Sequence, residues 1–389
     1  MQEAPPPLGR DFVLLQVIPA LDAGGAERAA LDITRAVAAA GGRTLIATSG
    51  GRLAPEAAAL GATLKLGPFD SKSPVTMALN AMRIARMVRD YRVGIVHARS
   101  RAPAWSAYFA TRQPRVPFVT TYHGIYNAGG PLKLYYNSVM VRSDAVIANS
   151  QWTARHVKQQ YLSAASRITV IPRGIDVAYF SPESVSESRV SVVRATWGID
   201  APDRPLILMP ERMTSWKGHE VLLKALARLT HRNFFVVLAG DAQGRDAYVQ
   251  ELTGLAGRLG LSAVTRIPGH CADMPAAYMA ADLVVAPSVR EEAFGRVAVE
   301  AQAMRRLVIG SALGAQTETI VDGVTGWLFP PGDDAALSLC IDRALALGSK
   351  DRERVVLAAR AHVLNSYTLE GMCRQTLSVY RKLLKKNEA

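Results

Sequence analysis

Asp282-Leu283-Val284-Val285-Ala286-Pro287-Ser288 leads, after three intervening residues, into Glu292-Ala293-Phe294-Gly295-Arg296-Val297-Ala298-Val299-Glu300. The first part reads as a buried strand running into a loop, and the apolar spacing from Val297 onward predicts a helix. Glu292 therefore lies in the loop before a helix, and Glu300 lies between one and two turns inside it. Between them, the backbone amides around Phe294, Gly295, Arg296 and Val297 form a helix N-terminus. Its unpaired N–H groups and dipole make a natural seat for phosphate. A carboxylate, a phosphate seat and a second carboxylate in line suit the sugar, diphosphate and ribose of a nucleotide sugar.

Outward from this stretch the chain alternates short apolar runs with helical patterns. Strands are expected at 12–19, 44–48, 94–97, 118–121, 145–148 and 168–171, with helices at 26–40, 75–91, 102–111 and 152–161. The pattern breaks at Pro172-Arg173-Gly174-Ile175-Asp176 and a Ser-rich stretch, Ser181 to Ser191. It then restarts at Pro205, with strands at 206–209, 235–239, 263–267, 283–286 and 308–309. Strands alternating with helices imply a parallel sheet covered on both faces. The expected fold class is α/β, with two Rossmann-like doubly wound domains facing a cleft. The expected boundaries are an N-terminal, acceptor-side domain at 1–173, a linker region at 174–204, a nucleotide-sugar-binding domain at 205–366 and a final helical segment at 367–389.

Length and composition fit two ordinary globular cores: 389 residues, half of them hydrophobic. Residues 1–173 carry 21 Lys and Arg against 9 Asp and Glu, nearly all of the total excess of +13. An excess confined to one half points to an anionic partner such as lipid head groups, an acidic acceptor or nucleic acid. Met1 to Arg10 does not resemble a signal peptide, and no uncharged run is long enough to span a bilayer. Three widely spaced cysteines, Cys271, Cys340 and Cys373, read as reduced thiols of a cytoplasmic protein. There is no G-x-G-x-x-G, no G-x-x-x-x-G-K-[ST], no D-x-D and no histidine cluster at metal-ligand spacing. No metal and no cofactor is therefore expected.

Five further stretches carry candidate chemistry. Pro210-Glu211-Arg212-Met213-Thr214-Ser215-Trp216-Lys217-Gly218 leaves the carboxyl end of a predicted strand, where ligands bind in open α/β sheets. Arg212 and Lys217 there can offer fixed positive charge to a departing diphosphate. Gly24 and Gly25, in Asp22-Ala23-Gly24-Gly25-Ala26-Glu27-Arg28, allow close backbone approach to an anion, or simply make a turn. His123 ends a strand in Thr120-Thr121-Tyr122-His123-Gly124. Arg99 and Arg101 follow another strand end, as an anion grip or as a solvated pair. The helix 75–91 sets Val75, Leu79 and Met82 beside Arg83, Arg86 and Arg89, suiting either an anionic membrane surface or one ordinary wet helix face.

The stretch from Glu292 to Glu300 resembles the E-x7-E element of retaining GT-B glycosyltransferases of family 4. Gly24-Gly25-Ala26-Glu27-Arg28, Ala148-Asn149-Ser150, Leu238-Ala239-Gly240-Asp241 and Gly326-Trp327-Leu328 extend the likeness over nearly the whole chain. The resemblance implies a nucleotide diphosphate sugar as donor, with Glu292 and His123 at its sugar, Arg212 and Lys217 at its diphosphate, and Glu300 at its ribose. The Gly24-Gly25 loop would close over the phosphates, and Phe294, Gly295, Arg296 and Val297 would line the donor site. Arg99, Arg101 and Tyr122 are the acceptor-side candidates. The final helix, Leu369 to Lys386, would cross back onto the first domain. In such enzymes the leaving phosphate itself takes the acceptor proton on the same face, without a protein nucleophile.

The phrases from His97 to Ser106 and from Gly240 to Arg245 further resemble bacterial lipopolysaccharide-core mannosyltransferase-like members. That implies GDP-mannose and an anionic, lipid-linked acceptor at the inner membrane face, with a cytoplasmic or peripheral enzyme and no nucleic-acid partner. Arg173 stands where the family commonly has Asn, and Ala315 replaces a common Gly. A nucleotide-sugar epimerase of the same fold, or a non-catalytic anion- or lipid-binding protein, are the alternatives.

Overall fold

A computed structural model describes residues 8–22, 24–126, 129–199, 201, 203–230 and 232–388. Ala23 of the glycine loop and the first seven residues of the N-terminal segment lie outside the described residues. The chain forms two units, Met1–Gly174 with Leu369–Ala389, and Ile175–Thr368.

The first unit is built on seven strands: β1 (Val13–Val17), β2 (Arg43–Thr48), β3 (Thr63–Leu66), β4 (Ile95–Ala98), β5 (Phe118–Tyr122), β6 (Ala145–Ala148) and β7 (Ile168–Val170). They pair in the order β3-β2-β1-β4-β5-β6-β7, all parallel. Side chains alternate between the two faces. Leu15, Val17, Val96, Ala98 and Phe118 join one core, beneath the helices Pro74–Asp90 and Arg101–Ala110. Leu14, Ile95, Val119 and Ile147 join the other, with Ile33 and Val37 of helix Gly25–Ala39 and Leu377 and Tyr380 of helix Leu369–Glu388. The sheet order reverses between β1 and β4, with Val17 opposite Ala98. That register sets the loop holding Gly24 beside the one holding Arg99.

The second unit has six strands: β8 (Leu206–Met209), β9 (Phe235–Ala239), β10 (Thr265–Gly269), β11 (Leu283–Ala286), β12 (Leu307–Ser311) and β13 (Trp327–Phe329). They are parallel in the order β10-β9-β8-β11-β12-β13. Here the reversal falls between β8 and β11, with Val284 opposite Leu208. The loops following these two strands, which carry Arg212, Lys217 and Glu292, therefore emerge side by side.

Several elements depart from the sequence reading. The edge strands β3 and β13 and the helix Ala54–Ala59 were not expected. β3 is half exposed and lacks an apolar run, and β13 is only three residues long. The stretch 174–204, expected as a linker region, contains the helix Glu187–Thr196. Phe180, Val193, Trp197 and Ile199 from this stretch are buried in the second unit's core, so it belongs to a packed domain. All three cysteines are free thiols.

Candidate active site

In the second unit the site begins at a glycine. Gly218 has φ +84°, and a Cβ there would lie 1.9 Å from the carbonyl oxygen of Pro287. Only glycine lets the loop after β8 pass this close to the loop after β11. Val289 N–H donates to the Trp216 carbonyl at 2.8 Å, stitching the same two loops together.

Lys217, next to Gly218, is consequently buried at 5% exposure, with two carboxylates on its ammonium. Its Nζ lies 2.7 Å from Glu211 Oε2 and 2.9 Å from Glu292 Oε1. Burial works against the Lys217 charge, but the two carboxylates outweigh it and raise its pKa. Glu211 is buried too. Burial, reinforced by Glu292 and opposed by Lys217, pushes it up to about 7. One cation between two buried carboxylates leaves a spare negative charge, and a proton on Glu211 relieves it.

Glu292 is held by one oxygen. Its Oε1 accepts from Lys217, from Ser288 Oγ and, at 3.5 Å, from Gln316 Nε2. None of these bonds reaches Oε2. The Arg212 side chain, by contrast, is exposed and makes no hydrogen bond or ion pair among the described residues. Two residues expected to share one task are thus separated: Lys217 is engaged with carboxylates, and Arg212 faces water.

Eight residues after Glu292, Glu300 is 6% exposed inside the helix Arg296–Ala303. Tyr278 Oη donates to its Oε2 at 2.8 Å, and Arg296 Nε donates to Oε1. Burial and the neighbouring Glu300 hold the Tyr278 hydroxyl well above its usual pKa, so it stays a donor. Gly295, at φ +76°, caps the helix. The side chains of Phe294 and Val297 are buried in the core, with Phe294 edge-on to Tyr367 at 5.7 Å. These two residues can offer only backbone to a ligand.

The first unit gathers a different set at the carboxyl ends of β4 to β7. Arg99 is 3% exposed, and its Nε and Nη2 donate to Gln16 Oε1 at 2.8 and 2.6 Å. Its Nη1 lies 3.5 Å from His123 Nε2. Burial, then Arg99 and Arg173, depress His123 well below the usual histidine range, so the imidazole is neutral. Its neighbour His97 is fully buried between Tyr380 Oη at 2.6 Å and Thr121 Oγ1 at 2.7 Å.

The acceptor-side trio does not converge. Successive residues of a strand point to opposite faces, so Tyr122 turns away from His123 into the core beside Trp105. Arg101 donates to Asn137 Oδ1 at 2.8 Å and lies over the Tyr126 ring at 4.4 Å. It joins Tyr122, whose ring is 5.0 Å from Tyr126, rather than Arg99. Nearby, Gly24 precedes the helix Gly25–Ala39, and Gly25 lies under the Arg173 guanidinium.

Sequence reading passed over Glu211, Tyr278, Ser288 and Gln316 in the second unit, and Gln16 and Asn149 in the first. Gln16 carried a signal, being a polar residue in the middle of the apolar strand Val13–Val17. Its amide is satisfied by Ala30 O and Thr34 Oγ1, and its oxygen holds Arg99. Among the described residues, no three His, Cys, Asp or Glu side chains form a group that could hold a metal ion.

Comparison with known proteins adds the following. Residues 23–179 match the Glycosyltransferase Family 4 profile, and residues 198–362 match the Glycosyl transferases group 1 profile. A crystal structure of a glycosyltransferase from Rickettsia africae ESF-5 is 36% identical, covering 96% of this chain and 99% of that one at a TM-score of 0.90. Anabaena Alr3699/HepE in complex with UDP and glucose shares the fold at 23% identity and a TM-score of 0.81, covering 95% of this chain and all of that one. A D-inositol 3-phosphate glycosyltransferase of Xylanimonas cellulosilytica is 33% identical over 255 residues, which is 64% of this chain. The match spans 60% of that relative's length.

Proposed function

Because the chain belongs to glycosyltransferase family 4 and has its GT-B fold, we propose that it moves a sugar from a nucleotide diphosphate sugar to an acceptor hydroxyl with retention of anomeric configuration. The observation that carries this reading is the buried Glu211–Lys217–Glu292 cluster, with the Gly295 helix start and Glu300 following Glu292. Lys217 and Ser288 fix one oxygen of Glu292, and its Oε2 then accepts from a hydroxyl of the donor sugar. Arg212 and the first amides of the helix Arg296–Ala303 take the diphosphate, whose growing charge they stabilise as it leaves. Glu300, oriented by Tyr278, takes the ribose hydroxyls. Neutral His123 serves the donor sugar as a hydrogen-bonding group. The departing phosphate accepts the proton of the attacking hydroxyl, so no side chain acts as nucleophile. Lys217 is a positioning residue in this scheme.

The acceptor is an anionic glycan or glycolipid. The first unit holds 26 Lys and Arg against 11 Asp and Glu, whereas the second holds 20 against 22. One relative is named for a phosphorylated acceptor. GDP-mannose is the donor we favour, and a role in lipopolysaccharide or other envelope glycan synthesis follows from a lipid-linked acceptor. No helix of the described residues is long and apolar enough to cross a membrane. Peripheral contact is served by the helix Pro74–Asp90, which exposes Val75, Leu79 and Met82 beside Arg83, Arg86 and Arg89.

A thermal-shift panel of GDP-mannose, UDP-glucose and other nucleotide sugars tests the donor site, with Arg212→Ala alongside. A ligand that binds only the folded state raises the melting temperature by mass action. One donor should stabilise the wild type and fail to stabilise the variant. Its transfer product should carry the donor's anomeric configuration by NMR. If no nucleotide sugar shifts the melting temperature, or the product is inverted, the reading is wrong. Conversion of the donor sugar without any acceptor would favour an epimerase instead.

A further inference from the structure

A cavity of about 380 Å³ opens on the first unit between the end of the helix Arg101–Ala110, the loop 111–117 and the turn leading into β6. Tyr108, Arg112, Arg115, Arg142 and Asp144 line it. Phe118, also in its wall, opens β5, and Asp144 directly precedes β6. Arg99 and His123 instead follow the carboxyl ends of β4 and β5. A five-residue strand such as β5 is about 17 Å long, so the cavity lies at the opposite end of the sheet from the candidate site residues.

Three arginines against one aspartate leave the cavity with a net charge of +2. Asp144 makes no ion pair among the described residues, and its Oδ2 accepts from the Phe118 N–H at 2.8 Å. A cation near the carboxyl end of a helix is favourable without any ligand, because that end carries about half a negative charge. The helix Arg101–Ala110 ends here, so its half-charge offsets part of one guanidinium. It leaves the other two unaccounted for.

Two of the three guanidinium groups are held by neutral partners. Arg142 lies 5.4 Å from the Trp105 ring centre and 5.1 Å from that of Tyr135, and its Nε donates to Ser138 Oγ at 3.1 Å. Arg112 lies 5.3 Å from the Tyr108 ring centre, and its Nη1 donates to Tyr108 Oη at 2.9 Å. Aromatic faces and hydroxyls orient a guanidinium without cancelling its charge. Among the described residues, both Nη groups of Arg142 and the Nη2 of Arg112 make no hydrogen bond. The Arg115 side chain makes no hydrogen bond or ion pair among them. Oriented forks with unused N–H groups match the paired oxygens of a phosphate.

We infer that this cavity is a second anion site, which takes a phosphate monoester through Arg112, Arg115 and Arg142. A phosphate monoester carries close to two negative charges at pH 7, which matches the net charge of the lining. The volume falls within the range of small-molecule sites, about 300–1,000 Å³, so an organic part fits beside the phosphate. Tyr108 and Val116 supply the wall for that part. The exposed rings of Phe109 and Tyr135 border the same arginines, so the phosphate can arrive on a soluble molecule or on a lipid whose head group stands at the rim. This site stands whether or not the first unit also holds a sugar acceptor.

The test is calorimetric titration of the full chain with glycerol 3-phosphate, beside sedimentation with phosphatidylcholine vesicles that contain or lack phosphatidic acid. The wild type should bind at least one of the two phosphate monoesters saturably. Arg112→Gln combined with Arg115→Gln should weaken that binding at least tenfold, and Arg142→Gln should weaken it several-fold. All three positions are exposed, so these variants should melt with the wild type. Arg258→Gln combined with Arg354→Gln removes equal charge from exposed positions of the second unit and should leave binding unchanged. Arg212→Ala should leave it unchanged too. Binding of glycerol 3-phosphate supports a soluble ligand, and binding of phosphatidic acid vesicles alone supports a lipid head group. The proposal is overturned if the wild type binds neither, or if the Arg112 and Arg115 double variant binds as well as the wild type. Equal weakening by the second-unit control would reduce the effect to net charge and overturn it as well. Loss of binding in Arg212→Ala, with the cavity variants unaffected, would place the phosphate in the donor site instead.

Discussion

Lys217 touches both Glu211 and Glu292, and it does so from inside the protein. Removing one partner of a buried ion pair leaves the other charge uncompensated, so Lys217→Ala should cost about 3–5 kcal/mol of stability, measured by urea denaturation. An unchanged midpoint would show that the carboxylates are solvated. Glu211 makes a second prediction through its pKa, raised from 4.5 to about 7 chiefly by burial. The folded protein then holds a proton that the unfolded chain releases at lower pH. Glu211 therefore stabilises the fold fully below about pH 4.5, and this contribution fades as pH rises through 7. The loss is at most about 3 kcal/mol at 1.36 kcal/mol per pKa unit. Glu211→Gln should flatten the fall in stability between pH 4.5 and 7, and a wild-type profile already flat across that window would refute it.

Loops that cross closely decide whether this cluster exists. Gly218 combines a left-handed backbone with a neighbouring carbonyl that leaves no room for a side chain. Gly218→Ala should lose at least about 2 kcal/mol, the left-handed cost plus the displacement of the loop after β11. Binding of nucleotide sugar should fall with it. If Gly218→Ala melts with the wild type and binds donor normally, the close crossing is not needed. At the same scale, the exposed face of the helix Pro74–Asp90 is open to test with vesicles. Sedimentation with phosphatidylglycerol-containing vesicles should be salt-sensitive and weakened several-fold by Val75→Glu with Met82→Glu. Equal binding by the double variant would remove this helix from the membrane contact.

For the whole molecule, the C-terminal helix has the largest consequence. Leu369–Glu388 returns to the first unit and covers the sheet face formed by Leu14, Ile95 and Val119. Tyr380, fully buried, is hydrogen-bonded to His97 Nδ1 at 2.6 Å. Tyr380→Phe leaves that ring nitrogen without its partner in a buried site, at a cost of about 1–3 kcal/mol. Ending the chain after Thr368 should expose the sheet face outright. Hydrogen exchange of the β1, β4 and β5 amides should then approach unprotected rates. Persistent protection of those strands would show that the first unit is complete without the helix.

The fold was legible because its signals are local and periodic. Apolar runs such as Leu206–Met209 and Leu283–Ala286, interleaved with helical spacing, specify parallel sheets whatever the rest of the chain does. Edge strands β3 and β13 escaped because a strand paired on one side needs no continuous apolar run. The packed stretch 174–204 was masked by its serines, although Phe180, Val193 and Trp197 lay within it. The sequence could also place Glu292, Glu300, Arg212, Lys217 and His123 at the carboxyl ends of strands, because motif and strand end coincide in the chain. What each side chain does there was decided by tertiary structure alone. Lys217 pairs with carboxylates while Arg212 faces water, and Arg101 and Tyr122 part from Arg99. Burial and ion pairing depend on which loops meet, and those loops meet through sheet register and glycine crossings between residues far apart in the chain.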